Sequence, residues 1–461
     1  MKRKIISLTL AVMFVAGVFS GCTEKPVTTD KQEESLPPAE PVTLVIAGSW
    51  EDCRAIEAVG REFTTKYPNC TVEYEYLQNY YESLAKRMNE ENNVDLFFTT
   101  NIQNESEMLP YALDLNSASE LDFSDTFTGL KDNFAFRENG AVSDKLYAIP
   151  LGAEMRGLYI NKTLLDSLNI KMPSNQAEIL SACQILADNG YIPFQGNPGN
   201  FSQILMYPWI CNIIANADDS EMMYNTINSR DFDIAETFRE PYEFLYLLIE
   251  KGYYDYKRAQ TEFNLFNDTT DKDYACYFLN IEKKDEEYVK LDDVGRVAFM
   301  PSAMSLKSVI EKTKEDYHSG IEYVFVPAPI GKDGGYAYMS CAHGIAINKS
   351  SQNMEMSVKF MDFLFQPENN KLFAAEFNII PNTKEAFEYI NTLYDIPSDR
   401  ISHLGQVTFD YDFYNIVTGS LLEISKGNNP KYMQTDDDGN VSLYSLDYYM
   451  NNLRESMKEN E

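Results

Sequence analysis

Histidine is almost missing from this 461-residue sequence: His318, His343 and His403 are the only three, and they lie far apart. That leaves no histidine-rich metal site to build and no zinc-binding histidine pair, so each is read as an ordinary structural residue. The seven cysteines, Cys22, Cys53, Cys70, Cys183, Cys211, Cys276 and Cys341, are widely scattered with no metal-ligand spacing. Their redox state stays open, because disulfide connectivity is not readable from spacing and buried thiols are equally compatible. There is no Gly-x-Ser-x-Gly elbow and no phosphate-cradling glycine loop. Positive charge is also short. Lys and Arg number 39 against 71 Asp and Glu, a formal charge of −32. Such a field opposes phosphate backbones and anionic membrane surfaces, so nucleic acid is not an expected partner and neutral ligands suit the chain better.

Only the first residues form a long apolar run. Lys2, Arg3 and Lys4 precede an apolar stretch from Ile5 to Phe19, closed by Ser20, Gly21 and Cys22. As a helix, residues 5–21 rise about 25 Å at about 1.5 Å each, less than the roughly 30 Å hydrocarbon core of a bilayer. The pattern is therefore expected to be a cleaved export signal spanning residues 1–21. The position of Cys22 resembles the lipobox of bacterial lipoproteins, with Phe19 where that pattern has Leu. The resemblance implies a lipidated Cys22 as first mature residue, holding the protein to the outer face of the cell membrane. Loss of the three basic residues leaves 36 basic against 71 acidic ones, about −35. Residues 23–41 contain Pro26, Pro37, Pro38 and Pro41 and no aromatic side chain, a composition expected to form a flexible tether. The remaining 420 residues, with 44% hydrophobic content in the chain, are enough for two or three domains with substantial cores.

Apolar periodicity then alternates between two and 3.6. Residues 42–47 read as a strand; Ala55, Ile56, Val59 and Phe63 mark one helix face, stopped at Tyr67-Pro68. Residues 71–77 alternate, Tyr80, Tyr81, Leu84, Ala85 and Met88 suggest a second helix, and 94–98 read as a buried strand. This order predicts an open α/β sheet. A second set follows, with extended segments at 146–150 and 157–161 and a helix over 175–188 that turns Ile179, Cys183 and Leu186 inward. Ile234, Phe238, Tyr242, Leu245 and Ile249 predict one long helix ending at Gly252. Further strands are expected at 294–300, 321–326 and 343–347, and helices at 354–365, 368–377 and 443–457. No internal repeat is evident.

The segments REFTTKYPNCTVEYEY and VDLFFTT, then LYAIPLGAEMRGLYINK, GRVAFMPSAM, YVFVPAPIGKDGG and AHGIAINKSSQNMEMSVKFMDFLF, occur in an order that resembles the carbohydrate-type extracellular solute-binding proteins of ATP-driven importers, the maltose-binding-like group. The resemblance covers most of residues 42–386. It implies a two-lobed α/β fold of the type II periplasmic-binding-protein kind, with hinge crossovers. The first lobe would hold 42–149 and 327–386 and the second 150–326 and 387–461, with Pro150 and residues 327–329 near the hinge. It also implies importer permease subunits as partners, a monomer, no cofactor and no enzymatic activity.

A neutral sugar offers apolar C–H faces and a rim of hydroxyls, so its site needs flat aromatic rings beside carboxylates, amides and backbone groups. Trp50 follows the first strand, where loops line the crevice of an open sheet. It is a candidate stacking ring, or a packed lobe residue. Its neighbours Glu51 and Asp52 are candidate hydroxyl acceptors, with Asp52 alternatively a helix cap. By the resemblance, Glu154 is a cleft-facing acid on the crossover, or a salt-bridge partner of Arg156. Trp209 would give an opposing wall, or sit in the core. Ser302 and Met304 stand in a loop where the family carries Gly and an aromatic; Ala303 and Ser305 replace those types here. Tyr336 and Tyr338 are candidates to supply the missing ring, and Tyr80, Tyr81 and Asn101 complete the set. Competing expectations are an exported carbohydrate-active enzyme and the same fold holding a non-sugar solute such as a polyamine. Residues 436–440 look like a calcium loop in part, but Gln434 and Ser445 fill ligand positions, so a hairpin or helix-linking turn is expected.

Overall fold

Two units make up the chain, Met1–Glu40 and Pro41–Glu461. The computed structural model describes residues 40–50, 53–90, 93–99, 108–126, 137–138, 141–142, 145–196, 222–223, 226, 233–255, 258, 271–284, 287–329, 331, 334–335, 338–341, 343–385, 411–425, 433–436, 438–439 and 441–459. The expected export signal, Cys22 and residues 23–39 of the expected tether lie outside them.

The β-branched run of β1 (Val42–Gly48) buries Leu44, Ile46 and Ala47 and pairs in parallel with β2 (Cys70–Tyr76) and β3 (Leu96–Thr99). Between them α1 (Arg54–Lys66) turns Ala55, Ile56, Val59 and Phe63 inward, the face its spacing predicts, and ends one residue before Tyr67-Pro68. α2 (Tyr80–Arg87) precedes β3. The sheet is completed by β4 (Ile149–Pro150) and, much later, β10 (Gly344–Ile347), in the order β2-β1-β3-β10-β4, with β10 antiparallel to both neighbours. Asp95 fastens it. Its buried carboxylate accepts from Val45 N at 2.9 Å and Ser351 Oγ at 2.5 Å, which ties the opening of β3 to the loop after β10.

The second sheet is organised on the long strand β5 (Gly152–Asn161). α3 (Gln176–Asp188) buries Ile179, Cys183 and Leu186 as expected, and is capped by Asn175, whose Oδ1 accepts from Glu178 N at 3.0 Å. β6 (Ile192–Phe194), α4 (Arg239–Glu250), α5 (Asp271–Phe278), β7 (Val297–Ala303), α6 (Leu306–Tyr317), β8 (Tyr323–Val326) and β9 (Tyr338–Cys341) follow. The strand order is β8-β5-β7-β6, with β9 also on β5. Asn161 ends β5 by satisfying several groups at once: its Oδ1 caps the next helix at Leu164 N, 2.9 Å, while Nδ2 donates to Val294 O at 2.9 Å.

α7 (Met354–Leu364) and α8 (Pro367–Phe377) return to the first sheet, where Phe360 and Phe363 meet Phe63 edge-on at 5.1 and 5.4 Å. After β11 (Ile380–Pro381), α9 (Tyr411–Ser425) and α10 (Leu446–Glu459) cover the second sheet's side, Val417, Leu421, Met450 and Leu453 joining the core of Tyr242, Leu245 and Leu248. Each fully buried side chain of this kind is worth about 1.5–3 kcal/mol.

The helix expected to run unbroken to Gly252 is interrupted. Ile234–Thr237 and α4 are separated at Phe238, φ −97°. Pro241 explains the break, since its ring crowds the carbonyl four residues back, at Thr237, and it lacks an N–H. The final helix begins at Leu446, three residues later than the periodicity suggests, because Val441–Leu443 pairs with Met433–Thr435 as a hairpin around the Asp-rich turn. Among the described residues no helix is long and apolar enough to cross a membrane. Cys70, Cys183 and Cys276 are free, buried thiols, and Cys53 is buried as well. Burial pushes the Cys276 thiol up to about 11 and raises that of Cys70.

Candidate functional site

Three passages of the chain connect the two sheets, side by side. Ile149 and Pro150 belong to the first sheet and Gly152 already belongs to the second, so a single residue, Leu151, separates them. Alongside runs the reverse passage, where Ser340 and Cys341 pair with Glu154 and Ala153, and Gly344 then pairs with Pro150 and Thr99. The third, β11, lies against Ala153 and Gly152. Leu151 N donates to His343 O at 2.7 Å. Two buried asparagines pin the junction: Asn382 Nδ2 donates to Pro150 O at 2.6 Å and Asn370 Nδ2 to Leu151 O at 3.0 Å, while Asn370 Oδ1 accepts from Asn382 N at 2.7 Å. Gly152 is required here by space, since a Cβ would sit 2.4 Å from Ile380 O.

On the second sheet, burial alternates along β5 so that Glu154 and Arg156 share one partly exposed face. Ser305 Oγ donates to Glu154 Oε1 at 2.5 Å, and Arg156 Nη2 lies 4.0 Å from Oε2. The carboxylate thus has both a hydroxyl donor and the cation that the salt-bridge reading anticipated. Ser302 faces Gly157 across the ladder and is half-buried; Met304 is 3% exposed, and its N donates to Met155 O at 2.8 Å. Tyr159 Oη donates to Ala303 O and Met304 O, both at 3.0 Å, which fixes this loop. Tyr338 pairs by its backbone with Arg156. Glu154, Arg156, Ser305 and the Tyr338 backbone therefore meet at one end of β5, while Ser302, paired with Gly157, faces the other side of the sheet.

On the first sheet, Trp50 is clamped at its backbone: N donates to Tyr74 Oη at 3.1 Å, and that hydroxyl donates to Trp50 O at 2.8 Å. Its half-buried indole stands edge-on to Phe98, His343 and Phe377, with centroids at 4.9, 4.6 and 4.9 Å. Because His343 sits on a connecting passage, Trp50 is at the junction of the sheets as well as packed in its own. Burial lowers the His343 pKa to about 4. Tyr80 Oη donates to Phe98 O at 2.7 Å and Ala47 O at 3.1 Å, binding the ends of β3 and β1, and carries the exposed Tyr81 against its ring at 5.1 Å. Glu51, Asp52, Asn101, Trp209 and Tyr336 lie outside the described residues. Ser305, His343, Asn370 and Asn382 were not among the sequence candidates; only Ser305 stood next to one, noted merely as a replaced aromatic. A depression of about 810 Å³ between α1, β2 and the end of α8, bordered by Arg54, Glu57, Arg61 and Glu376, shares none of the β5 groups.

The family model described as "Bacterial extracellular solute-binding protein" matches residues 47–371. The chain belongs to that family. Its fold is accordingly the two-lobed α/β fold of periplasmic solute-binding proteins, as the sequence resemblance implied. Solved structures agree. The GacH receptor of Streptomyces glaucescens, described in unliganded form and with acarbose, is 15% identical over 91% of this chain and 98% of its own, TM-score 0.60. RafE in complex with raffinose is 14% identical over 90% and 99%, TM-score 0.56. The sugar-binding protein MalE of Xanthomonas citri is 17% identical over 90% and 96%, TM-score 0.58. Curated proteins give no match. An extracytoplasmic place follows from the family, whose members are binding proteins.

Proposed function

We propose that this solute-binding protein is the lipoprotein receptor of an ABC importer, capturing a neutral mono- or oligosaccharide between its lobes by hinge closure and delivering it to permease subunits. The observation that carries this is the placing of Glu154, with its Ser305 and Arg156 partners, and the Trp50 indole on opposite sheets beside the same three connecting passages. A carboxylate there accepts two sugar hydroxyls, and an indole covers a C–H face. The lobes are 42–149 with 327–386 and 150–326 with 387–461; Tyr338–Cys341, inside the return stretch, ladders onto β5 and so forms part of the crossing. Closure brings Glu51, Asp52, Tyr81, Asn101, Trp209, Tyr336 and Tyr338 to the ligand. Cleavage before Cys22 and its lipidation hold the monomer at the membrane's outer face. No catalytic step is assigned. Arg156 beside Glu154 disfavours a polyamine, because a cationic cargo would meet a carboxylate already paired.

A thermal-shift screen with raffinose, maltose and larger neutral oligosaccharides, spermidine and phosphate tests the reading. A sugar at 100 times its Kd adds about 2.7 kcal/mol of stability. Stabilisation by spermidine or phosphate alone, or release of sugar products on incubation, would replace this function with one of its rivals.

A further inference from the structure

The contact between Trp50 and His343 joins two parts of the chain with different duties. Trp50 stands on the loop after β1, which offers its ring to the cleft. His343 stands on the passage from β9 to β10: its carbonyl takes the Leu151 N–H at 2.7 Å, and the next residue, Gly344, is laddered to both Pro150 and Thr99. Its imidazole meets the indole edge-on at 4.6 Å, and Phe377 flanks both rings at 5.8 and 4.9 Å. One residue thus touches the ligand loop with its side chain and forms a rung of the hinge with its backbone.

We infer that His343 is a positioning residue for ligand capture, fixing the Trp50 indole to the connecting strands so that the grip on the ligand and the movement of the lobes are coupled. This rests on the sugar-binding reading above. Among the described residues, the rings against the imidazole are Trp50 from the β1 loop and Phe377 from α8, with Phe98 of β3 against the indole in turn, and Leu151 meets His343 through its backbone. The nearest acid in sequence to Phe377, Glu376, borders the separate depression beside Arg54 and Glu57. Burial is the cause of the lowered His343 pKa. At neutral pH the residue is therefore an uncharged ring packed against rings. Below about pH 4 it becomes a cation packed against the Trp50 and Phe377 rings, and the box around the indole loosens.

The test uses the full mature chain carrying Trp209→Phe, which leaves Trp50 as its one indole. Trp50 emission is followed from neutral pH to below pH 4 with His343 and with His343→Phe, while far-UV circular dichroism registers any unfolding. The expected result is an emission change centred near pH 4 with His343 and none with His343→Phe, both remaining folded. Calorimetric titration of the chain that retains Trp209, with the sugar found in the screen, gives the second readout. His343→Phe keeps the affinity at neutral pH and removes its loss in acid, whereas His343→Ala weakens binding roughly 3- to 10-fold, the value of an aromatic contact. Identical emission profiles for His343 and His343→Phe, or unchanged affinity in a folded His343→Ala, would overturn the assignment. If the intact protein binds none of the sugars, the sugar reading fails, and the ligand-free emission measurement still decides the role of His343.

Discussion

Replacing Gly152 by alanine adds one methyl group at the passage between the two sheets. The new Cβ would fall 2.4 Å from Ile380 O and 2.7 Å from Ile379 Cδ1, and the oxygen belongs to backbone, so no side chain is free to swing aside. Either β11 lifts from β5, breaking the Ile380–Ala153 and Pro381–Gly152 pairs, or β5 shifts toward β9. Overpacking of this kind costs about 1–3 kcal/mol. The neighbouring hydrogen bond from Asn382 to Pro150 O would be strained with it, adding roughly 1 kcal/mol. Gly60→Ala is a matched control, since its Cβ would lie 2.9 Å from the Val72 Cβ in the α1–β2 contact, away from the crossings. Urea unfolding and calorimetric sugar titration of both variants give the answer. Both are expected to lose stability, but only Gly152→Ala is expected to lose affinity as well, because only there does the shift reach the segments about which the lobes turn. Equal affinity in the two variants, at full stability loss, would refute the claim that these strands are the hinge.

Other outcomes follow from the same contacts. Trp50→Ala removes a ring packed against three others, so stability falls by about 3 kcal/mol and sugar binding weakens roughly 10- to 100-fold; titration of a still-folded variant with unchanged affinity would remove Trp50 from the site. Glu154→Gln keeps the shape, loses the charge that strengthens hydroxyl contacts, and is expected to weaken binding about 10-fold by calorimetry, with little effect on urea unfolding. Asp95→Ala strips the acceptor from Val45 N and Ser351 Oγ inside the first lobe and should cost about 2–4 kcal/mol in denaturant unfolding. For His343 the folded pKa, about 4, lies below the ordinary 6.5, so the unfolded chain binds more protons between these values. Its contribution is therefore present above about pH 6.5 and is lost as pH falls toward 4, on the order of 3 kcal/mol in all. A His343→Phe protein measured across that range should lack this part of the acid destabilisation.

How far these features could be read from residues alone depends on how locally they are encoded. The inward faces of α1 and α3 lie within single elements, and periodicity located them, whereas of β5 only residues 157–161 read as extended. The break before Pro241 was also local, but five well-spaced apolar residues outweighed a proline three positions into the second piece. The site was legible only in part. Glu154 and Ser305 are 151 residues apart, Asn370 and Leu151 219, and Asn382 and Pro150 232. Nothing in the immediate neighbourhood of a Ser or Asn announces such a partner; folding alone selects it. His343 was set aside as an ordinary structural histidine, which its burial fits, while its place on a connecting strand is a property of topology. Trp50 was weighed as either a ligand ring or a packed one, and its geometry has elements of both: three aromatic neighbours and a position at the crossing.

Small-angle X-ray scattering of the mature chain, with and without a saturating sugar from the screen, tests the central claim most directly. Lobes that swing together about the Pro150–Gly152 passage should give a smaller radius of gyration in the bound state, with the secondary structure unchanged. A saturated complex whose scattering curve superimposes on that of the free protein would contradict capture by closure.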